Sequence, residues 1–181
     1  YGMTSEGGTE NIGVLFEYNP AGAGAYTVLH RFVRTTGANP YGGLIEYNGY
    51  LYGLTSGGGS SNGGVLFKYP LNGAGGYEVV FHFSPSKGLS PNGTLLLWNN
   101  KFYGTASFGG ANNYGTLFEF DPQAASSPFQ VLYHFSLATG GYPSGYLTLY
   151  NGKLYGGTGQ GGGNSQGVLF SYGLAGNTYQ V

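Results

Sequence analysis

A repeat of about 51 residues runs through the whole chain and constrains its fold more than any other feature. A Tyr-Gly pair occurs at positions 1–2, 52–53, 103–104 and 155–156, and a Leu-Phe pair follows at 15–16, 66–67, 117–118 and 169–170. A fixed period of this length is the sequence signature of repeat proteins, in which one supersecondary unit is copied and stacked. We therefore predict one domain over residues 1–181, with units at 1–51, 52–102, 103–154 and a partial unit at 155–181.

Each unit has the pattern of four short antiparallel strands. In the second unit and the residues just before it, strands are predicted at 44–47, 50–55, 65–69 and 77–83. Asn48-Gly49, between the first two strands, is a type I′ hairpin signal, and Asn151-Gly152 repeats it. No window has a helical period. The predicted fold class is all-β, a β-propeller of four four-stranded blade-like units with one unit incomplete.

A glycine inside the second strand of every unit suits this architecture, because strands that line a propeller axis crowd together. The glycines concerned are Gly2, Gly53, Gly104 and Gly156. A β-solenoid is the main alternative, although its coils are usually shorter and lack repeated two-residue hairpins.

The composition excludes several classes of protein. Charged residues make up 7% of the chain and aromatic residues 17%, with 38 glycines and no cysteine. Disordered chains lack aromatic residues to bury, and nucleic-acid partners require clustered Lys and Arg. No apolar run approaches the ~20 residues of a membrane-spanning helix. We therefore expect neither nucleic-acid binding nor membrane insertion, and no disulfide or thiolate metal site.

Three segments of the first two units carry a family resemblance. They are GANPYGGL at 37–44, LYGLTSGG at 51–58 and GGVLF at 63–67. Together they resemble the GloVer tandem repeat of bacterial proteins and, more loosely, kelch blades, and the resemblance extends over essentially all 181 residues. It implies a propeller-like protein that is extracellular or attached to the cell surface. It implies no catalytic residues.

The two ends of the sequence fall inside a unit rather than between units. Val181 aligns with Val28 in a fourth strand, and Tyr1 aligns with Tyr52 in a second strand, so a stretch equivalent to residues 29–51 is missing between them. One interpretation is a fragment of a longer chain or repeat array. The other is a propeller whose gap is filled by a strand from a neighbouring copy, which would give a head-to-tail polymer.

The titratable residues do not form a recognisable catalytic pattern. Glu17, Lys68 and Glu119 occupy one equivalent strand position and are expected to face solvent, and Asp121 is the only aspartate. His82 and His134 are equivalent in neighbouring units, so they are not expected to converge on a metal. The sequence predicts a protein that is not an enzyme and has no cofactor.

Aromatic residues at loop and strand-end positions are the candidate ligand or interface residues: Trp98, Tyr114, Tyr142 and Tyr146. Sugar sites combine aromatic rings with amide and hydroxyl groups, so a lectin-like protein that binds surface glycans is one interpretation. The other is that these rings pack between units or subunits. We predict primarily a structural or adhesive repeat protein outside the cell, the subunit of a surface filament or layer whose partners are copies of itself.

Overall fold

The computed structural model describes residues 1–21 and 25–181, which form antiparallel strands grouped into four sheets. Sheet 1 contains β1 (Gly2–Thr4), β2 (Val14–Asn19) and β3 (Ala25–Arg31). Sheet 2 contains β4 (Ile45–Tyr47), β5 (Tyr50–Thr55), β6 (Val65–Pro70) and β7 (Glu78–His82). Within both sheets each strand pairs with the next one in the sequence. The predicted strand at 50–55 coincides with β5.

Sheets 3 and 4 follow the same plan. Sheet 3 contains β8 (Leu89–Pro91), β9 (Leu96–Trp98), β10 (Lys101–Phe108), β11 (Thr116–Phe120) and β12 (Phe129–His134). Sheet 4 contains β13 (Gly141–Tyr150), β14 (Lys153–Gln160), β15 (Leu169–Gly173) and β16 (Thr178–Gln180). Sheet 3 has a fifth strand because β8 and β9 both pair with β10, at its two ends. In sheet 4 the equivalent residues form one irregular strand, β13.

The all-β prediction is therefore confirmed, and the part of the chain that the structure describes contains no helix. Accordingly, it has no helix that could cross a membrane. Each of sheets 2–4 begins with strand residues that precede the Tyr-Gly pair, so the sheets are offset from repeat units counted from Tyr1. The propeller arrangement of the four sheets remains a prediction.

Hydrophobic clusters lie between consecutive sheets. The three clusters join sheets 1 and 2, sheets 2 and 3, and sheets 3 and 4. Alternation along β6 explains this, because successive side chains of a strand point to opposite faces. Leu66 packs towards sheet 3, whereas Phe67 packs towards sheet 1. Each fully buried Leu or Phe contributes about 1.5–3 kcal/mol to stability.

The glycines in the second strands are crowded, but not by neighbouring units as predicted. A Cβ on Gly53 would lie 2.6 Å from Cζ of Phe67, and one on Gly104 would lie 2.5 Å from Cζ of Phe118. Each phenylalanine is on the adjacent strand of the same sheet, directly opposite its glycine. The glycine therefore provides space for a ring that lies across it, and the expectation of crowding around an axis is wrong for these positions.

Candidate functional site

Stacked aromatic rings connect the outermost strands of neighbouring sheets. At each junction, a ring near the end of the last strand of one sheet lies parallel to a ring near the start of the last strand of the next sheet. The centroids are 3.8–4.0 Å apart and the planes within 4° of each other, in the pairs His30–Tyr77, Phe81–Phe129 and Tyr133–Tyr179. The junction is thus a repeated interface with the same geometry three times.

The outer face of sheet 4 exposes residues that are buried at the three junctions. Leu169 is 73% exposed, whereas its equivalents Leu15, Leu66 and Leu117 are fully buried. Beside it lies a hollow of about 610 Å³ lined by Tyr155, Leu169, Phe170, Ser171, Gln180 and Val181. We call this surface the front face.

The outer face of sheet 1, which we call the back face, exposes the complementary set. Tyr18 is 53% exposed, although its equivalents Tyr69, Phe120 and Tyr172 are all buried. Tyr26 is 52% exposed and stands where Tyr77, Phe129 and Tyr179 receive a stacked ring. It lies beside Phe16, with ring centroids 5.1 Å apart. Both end faces therefore carry the apolar residues of a junction.

A second feature is a groove between sheets 3 and 4, which we call the Trp98 groove. It encloses about 310 Å³ and is lined by Trp98, Asn99, Lys101, Tyr103, Glu119, Leu132, Gly152, Leu174, Ala175 and Asn177. The hairpin between β9 and β10 places Trp98 opposite Lys101, and the pairing of β10 with β11 places Tyr103 opposite Glu119. One face of sheet 3 thus supplies two aromatic rings and an ion pair.

Glu119 organises the polar part of this groove. One carboxylate oxygen accepts a hydrogen bond from Nζ of Lys101 at 2.6 Å, and the other accepts one from the hydroxyl of Tyr103 at 2.8 Å. Burial, and then the bond to Glu119, raise the pKa of Tyr103, so its hydroxyl keeps its proton. Hydrogen bonding to Glu119 also raises the pKa of Lys101.

The prediction that Glu119 faces solvent is consequently wrong, because its side chain is only 15% exposed. Lys68, at the equivalent position of sheet 2, forms an ion pair with Glu78 at 3.0 Å. The groove was missed at the sequence level, although the spacing of Lys101 and Tyr103 along one strand face already placed them side by side.

The structure brings together two of the four aromatic candidates. The rings of Tyr114 and Tyr142 are 5.4 Å apart in an edge-to-face arrangement, and Phe108 contacts Tyr142 at 5.3 Å. Trp98 lies far from this pair of tyrosines. It is opposite Lys101 at one end of β10, whereas Phe108, which contacts Tyr142, is at the other end, seven residues from Lys101 or about 23 Å along an extended strand. Tyr146 is 68% exposed on the irregular part of β13.

The equivalent histidines have a structural role in the Gly-rich loops. Nδ1 of His82 accepts a hydrogen bond from the backbone N–H of Ser60, and Nδ1 of His134 accepts one from Ala111. Within the described ranges, no group of three His, Cys, Asp or Glu side chains is arranged to hold a metal ion.

These features define a class, an all-β repeat protein in which successive antiparallel sheets share one kind of apolar junction. The family model of the Gloeobacter/Verrucomicrobia repeat matches residues 1–181, and the chain belongs to this family. The resemblance to the GloVer repeat seen in the sequence is thereby confirmed. Curated proteins include none that matches the chain.

Proposed function

We propose that this protein is a non-enzymatic structural or adhesive component outside the cell, and that it assembles with copies of itself into a filament or surface layer. The main support for this proposal is the exposed Leu169 of the front face. Leu169 stands where three equivalent leucines are fully buried by the next sheet, and exposed apolar patches on soluble proteins mark interaction sites.

The back face supplies a complementary surface. Phe16, Tyr18 and Tyr26 occupy the positions through which sheets 2–4 contact the sheet before them. A front face on a back face is a heterologous contact, and such contacts build open chains when the rotation does not close. In this proposal the sheets are kelch-like propeller blades, and the front face of sheet 4 contacts the back face of sheet 1 in another copy of the protein.

The low charge of the chain supports the same role. Only 13 of its 181 residues are charged and its net charge is −1, and proteins near zero net charge associate more readily. The resemblance to repeats of surface-exposed bacterial proteins supports a location outside the cell.

Sedimentation velocity over a range of concentrations tests the proposal. The unmodified protein is expected to form species larger than a monomer, and Leu169→Asp is expected to prevent this by placing a charge in the contact. Leu137→Asp is the matched control, because Leu137 is also exposed but lies in the loop after β12, away from both end faces. A monomer at every concentration, or equal association of Leu169→Asp, would contradict the proposal.

A further inference from the structure

The Trp98 groove has the properties of a ligand site, and we propose that it binds a neutral carbohydrate of one or two pyranose rings. This inference does not depend on self-assembly, because the groove lies between sheets 3 and 4 and not on an end face. Its volume of about 310 Å³ is at the lower limit of small-molecule sites, which enclose roughly 300–1,000 Å³.

The apolar wall of the groove is formed by two aromatic rings. The centroids of Trp98 and Tyr103 are 6.4 Å apart, with the planes inclined by 51°, so the rings form two sides of a corner. Trp98 is partly exposed and Tyr103 is buried. A ring with an accessible face next to polar groups suits a pyranose, which has an apolar C–H face and a rim of hydroxyl groups.

The polar wall retains hydrogen-bonding capacity. A carboxylate has about four acceptor sites and an ammonium group three donors, and the contacts of Glu119 with Lys101 and Tyr103 use only part of them. Oδ1 of Asn177 accepts a hydrogen bond from the hydroxyl of Tyr172, which leaves its amide N–H groups as donors. Donors and acceptors therefore lie together beside the aromatic rings, as recognition of a polyhydroxylated ring requires.

The charge of the groove favours an uncharged ligand. Lys101 and Glu119 neutralise each other at 2.6 Å, so neither an anionic nor a cationic group gains a free counter-charge. A hydroxyl group can instead donate to the carboxylate and accept from the ammonium group, and such charge-assisted hydrogen bonds are stronger than neutral ones.

The equivalent groove between sheets 2 and 3 is smaller, about 240 Å³, and its lining differs. Tyr47 replaces Trp98 there, and its hydroxyl already accepts a hydrogen bond from Nε2 of Gln123 across the junction, at 2.9 Å. Gln123 belongs to an eight-residue connection between β11 and β12, at 121–128, whereas β15 and β16 are joined by the four-residue turn 174–177. The shorter turn leaves space above Trp98.

The sequence contains a single tryptophan, so its fluorescence reports directly on the groove. The Leu169→Asp protein is titrated with glucose, galactose, mannose, N-acetylglucosamine and their β-linked disaccharides, which keeps the measurement separate from self-association. We expect a saturable change in emission with at least one of these sugars. No saturable change with any of them, or saturation by adenosine alone, would overturn the proposal.

Saturation-transfer NMR then assigns the site, because it needs no tryptophan. In the same background, Trp98→Ala is expected to weaken binding of the sugar at least about tenfold, as truncation of a central aromatic anchor does, and Trp98→Phe to retain part of it. Tyr150→Ala is the matched control, since Tyr150 is the equivalent residue of sheet 4 and is exposed. Unchanged binding by a folded Trp98→Ala protein would overturn the assignment.

Discussion

The imidazole ring of His30 lies on the phenol ring of Tyr77, with centroids 3.8 Å apart and planes inclined by only 4°. Phe81 and Tyr133 occupy the position of His30 in the next two sheets and make the same contact with Phe129 and Tyr179. An imidazole ring thus occupies a position that carries a phenyl or phenol ring in the next two sheets. Its Nε2 is buried and, among the described residues, has no hydrogen-bond partner.

Stability is therefore expected to depend on pH through His30. Burial lowers its pKa from 6.5 to about 4, so the folded protein takes up this proton only at a lower pH than the unfolded chain does. The contribution of His30 to the free energy of unfolding should be constant above pH 6.5, and it should decrease as the pH falls from 6.5 to 4.

Replacement of His30 by Phe, the residue of the next sheet, should raise the melting temperature at pH 4.5 more than at pH 8. Thermal unfolding followed by circular dichroism at both pH values measures the difference. Tyr133→Phe, at the equivalent position of sheet 3, is the control, because it changes a stacked ring without removing an imidazole. An equal change in melting temperature at the two pH values for His30→Phe would contradict this account.

The hydroxyl groups of the stacked tyrosines fix the connection between two sheets. Tyr179 donates a hydrogen bond to the backbone carbonyl of Thr139 at 2.7 Å, whereas the equivalent Phe129 has no hydroxyl. Because the ring of Phe fits this position, Tyr179→Phe should remove only the hydrogen bond and cost about 1 kcal/mol of unfolding free energy.

Urea unfolding of Tyr179→Phe measures this cost. Tyr26→Phe, at the equivalent exposed position of sheet 1, should change the free energy of unfolding by less than about 0.5 kcal/mol. Equal effects of the two substitutions would show that the bond to Thr139 does not stabilise the junction.

The contact between Gly104 and Phe118 predicts a strong effect of a single methyl group. Gly104→Ala places Cβ against the fully buried ring of Phe118, and overpacking of this kind costs about 1–3 kcal/mol. Gly163→Ala is the control, because Gly163 has open space around it and no positive φ. The midpoints of urea unfolding should fall for the first variant only, and a stable Gly104→Ala protein would show that the ring can move.

Equivalent leucines should have unequal contributions to stability. Leu117→Ala removes a fully buried side chain between sheets 3 and 4 and should cost about 2–5 kcal/mol. Leu169→Ala, measured in dilute solution, should change the free energy of unfolding by less than about 0.5 kcal/mol. A large loss from Leu169→Ala in the monomer would mean that this side chain is covered by its own chain.

Much of this architecture could be predicted from the sequence, because its determinants are local. The Asn48-Gly49 turn fixes the pairing of β4 with β5, and alternation fixes which face of β6 carries Leu66. The same alternation puts Lys101 and Tyr103 on one face of β10, although the sequence pattern did not identify them as a site. In contrast, the contribution of Leu174 and Asn177 to the Trp98 groove depends on how sheets 3 and 4 pack, which no local pattern encodes.

The expectation that Gly104 is crowded by strands around an axis was wrong for a related reason. A strand glycine indicates close approach, but the pattern does not say which partner approaches. In the structure the partner is Phe118, opposite it on the neighbouring strand.

Mixing two end-face variants distinguishes head-to-tail association from any other contact between copies of the protein. Leu169→Asp blocks the front face and Tyr26→Asp blocks the back face, so each variant alone should remain monomeric in sedimentation velocity. An equimolar mixture retains one intact front face and one intact back face, and it should form a dimer and nothing larger. Two variants that stay monomeric when mixed, or that each associate as the unmodified protein does, would contradict the account.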